Sequence, residues 1–340
     1  MSGGLTRFWY GNAHAAVLLQ PLAWLYGAAM ALRRLAYTRG LLRQKSVGSP
    51  VIVVGNLVVG GTGKTPLVAW LVRELKTRGY AVGIMSRGYG RTPGAARLVS
   101  ANASWREVGD EPPLLAQATG CITAVGADRV ATGRLLTASG TNVIVSDDGL
   151  QHLRLARECQ IVVVDGERGF GNGRLLPAGP LREPIARLRA ADAVVINAAV
   201  PSAALLQLCR RLNTMVVQMR LVPSTVTALV GTARRSLESF RDTPVNAVAG
   251  IGNPARFFRE LRGAGLTVIE HAFADHHPFV ASDLDFGNDL PVLMTEKDAV
   301  KCRSFADTRL WYVPVAAQLS PAHTEELMVR VLSRLETYRG

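Results

Sequence analysis

Cysteine is scarce in this 340-residue chain, and its four, Cys121, Cys159, Cys209 and Cys302, stand far apart with no C-x-x-C pair and no cleavable secretion signal. That excludes a disulfide framework, offers no zinc site, and fits a reducing cytoplasm. Acidic residues are in deficit as well: 26 against 39 lysines and arginines, a formal net charge of +13. Such a surplus calls for nucleic acid, an anionic membrane surface or a phosphorylated ligand. The arginines are spread along the chain, however. There is no dense basic run, no zinc-finger spacing and no aromatic RNA-binding signature, which leaves nucleic acid the weakest of the three. Disorder is excluded by a hydrophobic content of 48%, and the length allows two domains with proper cores.

What the chain does have is Pro50 to Pro66, an apolar run that breaks into glycines and ends on Gly-Lys-Thr. It reads as a phosphate-binding loop: a buried strand, then Gly60, Gly61, Thr62 and Gly63 at a turn whose N–H groups can face one anion, then Lys64 as a mobile cation. Thr65 opens a helix, with its hydroxyl available to Mg²⁺ and the helix N-terminus facing phosphate. The strict G-x-x-x-x-G-K-[ST] pattern would put glycine at Val58. The related K-G-G-x-G-K-[ST] loop of dimeric ATPases fits from Gly60 to Thr65 but wants lysine at Val59.

Ahead of the loop, residues 8–45 carry Phe8-Trp9-Tyr10, an apolar run from Ala15 to Leu32 broken by Gln20-Pro21, and then Arg33, Arg34, Arg39, Arg43 and Lys45. A spanning helix needs about 20 apolar residues. The interrupted run predicts a helix lying on a membrane interface, with aromatics at headgroup depth and arginines facing anionic lipid. A helix buried in a large core is its rival, and a single spanning helix stands third.

After the loop, Leu67, Leu71 and Leu75 mark a helix and residues 80–85 a strand ending at Ser86-Arg87-Gly88-Tyr89-Gly90-Arg91, where ligand loops of a βαβ unit gather. Asp110-Glu111-Pro112-Pro113 reads by itself as a helix N-cap. Residues 142–148 form an apolar run ending in Asp147-Asp148, the place for a carboxylate that holds Mg²⁺ against a nucleotide. Strand 160–165 feeds the long loop 166–184, whose length points to function. Residues 215–219 and 226–230 predict a two-stranded connection at a domain boundary. A second α/β alternation follows, in which Gly250-Ile251-Gly252 is too short for a dinucleotide site.

Taken together, Gly55-Asn56 to Thr65-Pro66, Ser86 to Gly90, Gly109-Asp110-Glu111-Pro112, Asp147 to His152, Pro177 to Glu183, Asp275-His276-His277 and Thr295-Glu296-Lys297-Asp298 resemble the tetraacyldisaccharide 4′-kinase (lipid A 4′-kinase) family of Gram-negative bacteria. The match covers nearly the whole chain. It implies a P-loop NTPase-like α/β/α domain and a smaller α/β/α domain joined by a two-stranded linker. Expected boundaries are 1–45 for the membrane-interface region, 46–213 for the nucleotide-binding domain, 214–243 for the linker and 244–340 for the smaller domain. The resemblance further implies ATP and Mg²⁺ as cofactors and phosphorylation of the 4′-hydroxyl of tetraacyldisaccharide 1-phosphate to give lipid IVA. Anionic lipids at the cytoplasmic face of the inner membrane are the expected surroundings, with no nucleic acid and no protein partner.

Residue by residue, the resemblance places Lys64 on the β- and γ-phosphates and Thr65 with Asp147 or Asp148 in the metal shell. Asp110 becomes the base for the sugar hydroxyl, paired with His276 from the second domain. Arg182 and Glu183 match the family's active-site pair, and Glu111 and Arg129 are further candidates. Two other readings share parts of this pattern: a P-loop switch or metal-delivery NTPase, which lacks its signature lysine and its Asn-Lys-x-Asp here, and a non-catalytic membrane binder with a vestigial loop.

Overall fold

The computed structural model describes residues 9–10, 17–100, 103–213 and 215–339. After helix α1 (Gln20–Thr38) come β1 (Val51–Gly55), α2 (Lys64–Thr77), β2 (Val82–Ser86), β3 (Arg97–Leu98), α3 (Trp105–Val108), α4 (Glu111–Thr119), β4 (Ile122–Val125), α5 (Arg129–Ala138), β5 (Val143–Asp147), β6 (Cys159–Asp165), β7 (Ala193–Asn197), α6 (Ala203–Leu212) and β8 (Val216–Pro223). With β15 (Val315–Leu319) these strands make one sheet in the order β15-β8-β7-β6-β1-β5-β2-β4-β3. It is parallel except at its edges, where β15 and β3 run antiparallel to their neighbours.

The run of β-branched residues in β1 explains its central place. Ile52 and Val54 enter one core with Leu67, Leu71 and Leu75 of α2, while Val51 and Val53 enter the opposite core with Val130 and Leu136 of α5. A strand covered on both faces has no use for a polar side, so it reads as continuous apolar sequence.

The second sheet holds β9 (Val226–Ala228), β10 (Arg234–Arg235), β11 (Val245–Ala249), β12 (Val268–Ala272), β13 (Val292–Thr295) and β14 (Leu310–Val313), ordered β10-β9-β14-β13-β11-β12. Helix α7 (Pro254–Gly263) buries Phe257, Phe258 and Leu261 on one face, and α8 (Glu296–Cys302) buries Ala299 and Cys302 on the other.

Two expectations are corrected here. Residues 215–219 and 226–230 do not pair with each other: β8 is bonded to β7 and β15, and β9 to β14 and β10. The two-stranded connection exists, but its second strand is the returning chain, and Ser224 N–H donates to the Pro314 carbonyl (2.8 Å) where the ribbon crosses. Backbone groups in the gap between sheets need partners, and the returning strand supplies them. For the same reason a smaller domain running 244–340 is too long. Residues 315–339 go back to the first sheet, where α9 (Pro321–Arg339) buries Leu327, Met328, Val331 and Leu335 in the core that also holds α2.

Helix α1 lies outside both cores. Ala23 is its buried residue, whereas Leu22, Trp24, Leu25 and Leu32 are exposed, Trp24 by 67% and Leu25 by 68%. This overturns the buried-helix alternative. Among the described residues no helix is long and apolar enough to cross a membrane. Phe8 and Ala15-Ala16, part of the same expectation, lie outside the described residues.

Candidate active site

The glycine turn after β1 is held from inside. Asn56 Nδ2 donates to the Gly60 carbonyl (3.2 Å), and Asn197 Nδ2, at the end of β7, donates to that of Thr62 (3.0 Å). Gly63 has φ +90°, and a Cβ there would lie 2.5 Å from Asn197 Nδ2, so both conformation and space require glycine. Helix α2 then begins at Lys64 with no side chain capping its first turn. The N–H groups that a cap would take are left for an anion.

Strand β5 pairs with β1 so that Asp147 lies opposite Val54, which brings the acidic strand end to this turn. Thr65 Oγ1 donates to Asp147 Oδ2 (3.4 Å), and Asp147 Oδ1 is buried with no hydrogen-bond partner. Burial, with Glu111 and then Asp148 nearby, lifts the Asp147 carboxyl to about 7 against the pull of Lys64 and Arg129. Asp148, at φ +52°, faces Lys64 Nζ (3.7 Å) and Arg182 Nη1 (3.1 Å). Burial opposes its ionisation, but these two cations outweigh burial and hold it below the usual carboxylate range. An orphaned buried carboxylate oxygen beside a hydroxyl and a second carboxylate is a donor set that fits a hard cation such as Mg²⁺.

A second cluster forms where the two domains meet. Asp110 occupies the N-cap position of α4, yet its side chain makes no cap hydrogen bond. Oδ2 instead meets His276 Nδ1 at 2.9 Å, with Lys301 Nζ at 3.6 Å and Lys297 Nζ at 4.0 Å. Burial would raise the carboxyl; the hydrogen bond from His276 and the charges of Lys297 and Lys301 overcome it and hold Asp110 low. Its other oxygen, Oδ1, is buried without a partner. His276 is at φ +61° on the turn after β12, and the Tyr89 ring lies against it with centroids 4.3 Å apart.

The predicted pair Arg182 and Glu183 is split. Arg182 turns to Asp148, while Glu183, buried, faces Arg187 (3.3 Å) and Arg34 of α1 (3.8 Å). The chain bends at both residues, so the two side chains part, and Glu183 supports the seat of α1 and not the phosphate loop. Arg129 is buried with Nη2 on the Asp147 carbonyl (3.4 Å).

Sequence reasoning missed the residues that join the halves. Arg168 donates to the carbonyls of Gly61 (2.6 Å) and Gly252 (2.9 Å), and Arg256 to Asn197 Oδ1 (3.2 Å). Gly250-Ile251-Gly252 therefore lies on the phosphate loop. Lys297 and Lys301 also went unassigned; their i, i+4 spacing, which puts two cations on one helix face, was the available signal.

A phosphate loop, an acidic strand end and an Asp–His pair assembled between two α/β domains define a P-loop phosphotransferase. Residues 15–333 match the family described as tetraacyldisaccharide-1-P 4′-kinase. The chain is 51% identical over 339 residues to the tetraacyldisaccharide 4′-kinase of Alkalilimnicola ehrlichii, covering 98% of each chain. It is 49% identical over 335 residues to that of Xanthomonas axonopodis pv. citri, covering 98% of this chain and 97% of the other. The crystal structure of LpxK from Aquifex aeolicus in complex with ATP superposes with a TM-score of 0.76 at 28% identity, over 94% of this chain and 99% of that one. The chain belongs to the tetraacyldisaccharide 4′-kinase family.

Proposed function

We propose that this chain transfers the γ-phosphate of ATP to the 4′-hydroxyl of a tetraacyldisaccharide 1-phosphate, with Asp110 as the base. The observation that carries the assignment is the 2.9 Å contact between Asp110 and His276 across the domain cleft, beside an unpaired Asp110 oxygen. In a loose phosphoryl transfer the attacking hydroxyl loses its proton late, so an ionised carboxylate of low basicity suffices when well placed. Oδ1 accepts that proton while His276 holds Oδ2. The N–H groups at Gly60–Lys64 and the Lys64 ammonium hold the nucleotide's phosphates. Arg182, fixed by Asp148, faces the charge that spreads over the transferring group.

Thr65, Asp147 and Asp148 would hold Mg²⁺, which supplies charge neutralisation at the phosphate oxygens when bound. The orphaned Asp147 Oδ1 supports Asp147 as the direct ligand and Asp148 as the group that orients Lys64 and Arg182.

The acceptor is an amphiphile, and α1 supplies a surface suited to one. Its exposed Leu22, Trp24 and Leu25 precede exposed Arg33, Arg39 and Arg43. That pattern supports docking on the anionic cytoplasmic face of the inner membrane. The test is transfer of labelled γ-phosphate from Mg·ATP to tetraacyldisaccharide 1-phosphate by wild type, Asp110→Ala and Lys64→Ala. Strong wild-type transfer that collapses in both variants is expected. Transfer surviving in Asp110→Ala would reject the base assignment, and hydrolysis that needs no lipid would favour a switch NTPase.

A further inference from the structure

The Lys297 ammonium lies 3.2 Å from Glu111 Oε1, 3.2 Å from His276 Nε2 and 3.7 Å from Asp275 Oδ1. Lysine has three N–H donors and no lone pair to accept with. Glu111 and His276 are within hydrogen-bond distance, and the ammonium can only donate, so the His276 nitrogen facing Lys297 has to be an acceptor. The ring's one hydrogen then sits on Nδ1, pointing at Asp110 Oδ2 2.9 Å away. Among the described residues the carboxylate paired with Nε2 is that of Asp275, at 3.9 Å and itself engaged by Lys297. On the remaining sides the ring meets Tyr89, an aromatic face with no charge, and Lys301 stands beyond Asp110.

We infer that Lys297 is a positioning residue that fixes His276 as its Nδ1–H tautomer, so that the imidazole donates to Asp110 Oδ2 and leaves Oδ1 as the oxygen open to the acceptor hydroxyl. Without Lys297, the Nε2 lone pair loses its donor, and the Nε2–H form becomes competitive. In that form an Nδ1 lone pair would face the Asp110 carboxylate, and the contact that carries the site would be repelled apart. Because α8 also carries Lys301, one helix of the second domain controls both the charge around Asp110 and the hydrogen-bond direction of its partner.

The inference rests on the proposed role of Asp110 only for its catalytic consequence; the tautomer is a property of the protein alone. The experiment is ¹⁵N NMR of the full-length protein labelled at histidine. His276→Gln assigns the His276 signals among the six histidines. Nδ1–H with a bare Nε2 is expected in the wild type, and a population of Nε2–H in Lys297→Met. In parallel, kcat is expected to fall at least tenfold in Lys297→Met at an unchanged KM for ATP, with Lys297→Arg, also a pure donor, recovering most of it. A wild-type signal showing hydrogen on Nε2 overturns the inference without need of any variant. So does an unaltered tautomer in Lys297→Met. Loss of activity in Lys297→Met with Asp110→Ala still active would instead reject the base assignment and leave the tautomer result standing.

Discussion

Gly252→Ala adds a single methyl group at the place where the two domains touch through backbone. The new Cβ would lie 2.5 Å from Gly61 N, 3.2 Å from Gly60 Cα and 3.3 Å from Gly60 C. Ordinary carbon contacts need about 3.5–4.0 Å, so the two loops must separate by roughly 1 Å. The phosphate loop is anchored by β1 and by Asn56 and Asn197, so the displacement passes to the second domain. That domain carries His276 and Lys297, and their contacts with Asp110 and Glu111 open with it. A misplacement of about 1 Å costs on the order of 100-fold in rate when reacting groups must be aligned. The expected result is therefore a kcat lowered by about two orders of magnitude in the γ-phosphate transfer assay, with unfolding temperature little changed. Gly263→Ala is the control: its Cβ meets nothing within 4 Å, and alanine is the better helix former at the end of α7. If Gly252→Ala retains activity within threefold of wild type, the two glycine loops do not set the distance between the domains and the reasoning fails.

Other outcomes follow from the same geometry. Lys301 is buried between Asp298 (3.2 Å) and Asp110 (3.6 Å). In Lys301→Met the Asp110 carboxylate keeps His276 and Lys297, but buried Asp298 loses its cation, which should cost about 3–5 kcal/mol in chemical denaturation; a loss under about 1 kcal/mol would mean that the Asp298 carboxylate is solvated. His152 is depressed to about 4 by burial and then by Arg129, Arg87 and Arg157. Its folded value lies below the unfolded value of about 6.5, so its contribution is fully present above pH 6.5 and is lost as pH falls toward 4, by at most about 3 kcal/mol. Stability curves of His152→Gln should be flatter than wild type across that window, and parallel curves would contradict the assignment. On α1, replacing exposed Trp24 by Ala and Leu25 by Ser removes roughly 1.5–3 kcal/mol of apolar burial per side chain in a bilayer. Partitioning onto anionic vesicles should drop at least tenfold, whereas unchanged sedimentation with vesicles would deny α1 a membrane role.

Some of this protein is set by local sequence. Val51–Val54 reads as a strand covered on both faces, and Gly60 to Lys64 as a tight turn into a helix, because β-branched runs and the left-handed Gly60 and Gly63 carry their preferences with them. Asp147-Asp148 at the end of an apolar run announced the acidic strand end in the same way. The identity of the family also lay in the order of short motifs along the chain. What the chain could not disclose locally was which oxygen and nitrogen atoms would meet. Asp110 has the spacing of an N-cap, and nothing near it in sequence diverts its side chain; His276, 166 positions away, and the lysines of α8 do so. Glu183 stands beside Arg182 in sequence, but the two side chains part. The linker's second strand and α9 return from the far end of the chain, so local pattern alone gave residues 315–339 to the wrong domain. Hydrogen-bonding direction and charge balance are properties of contacts between distant segments, and only the packing of one domain against the other decides them.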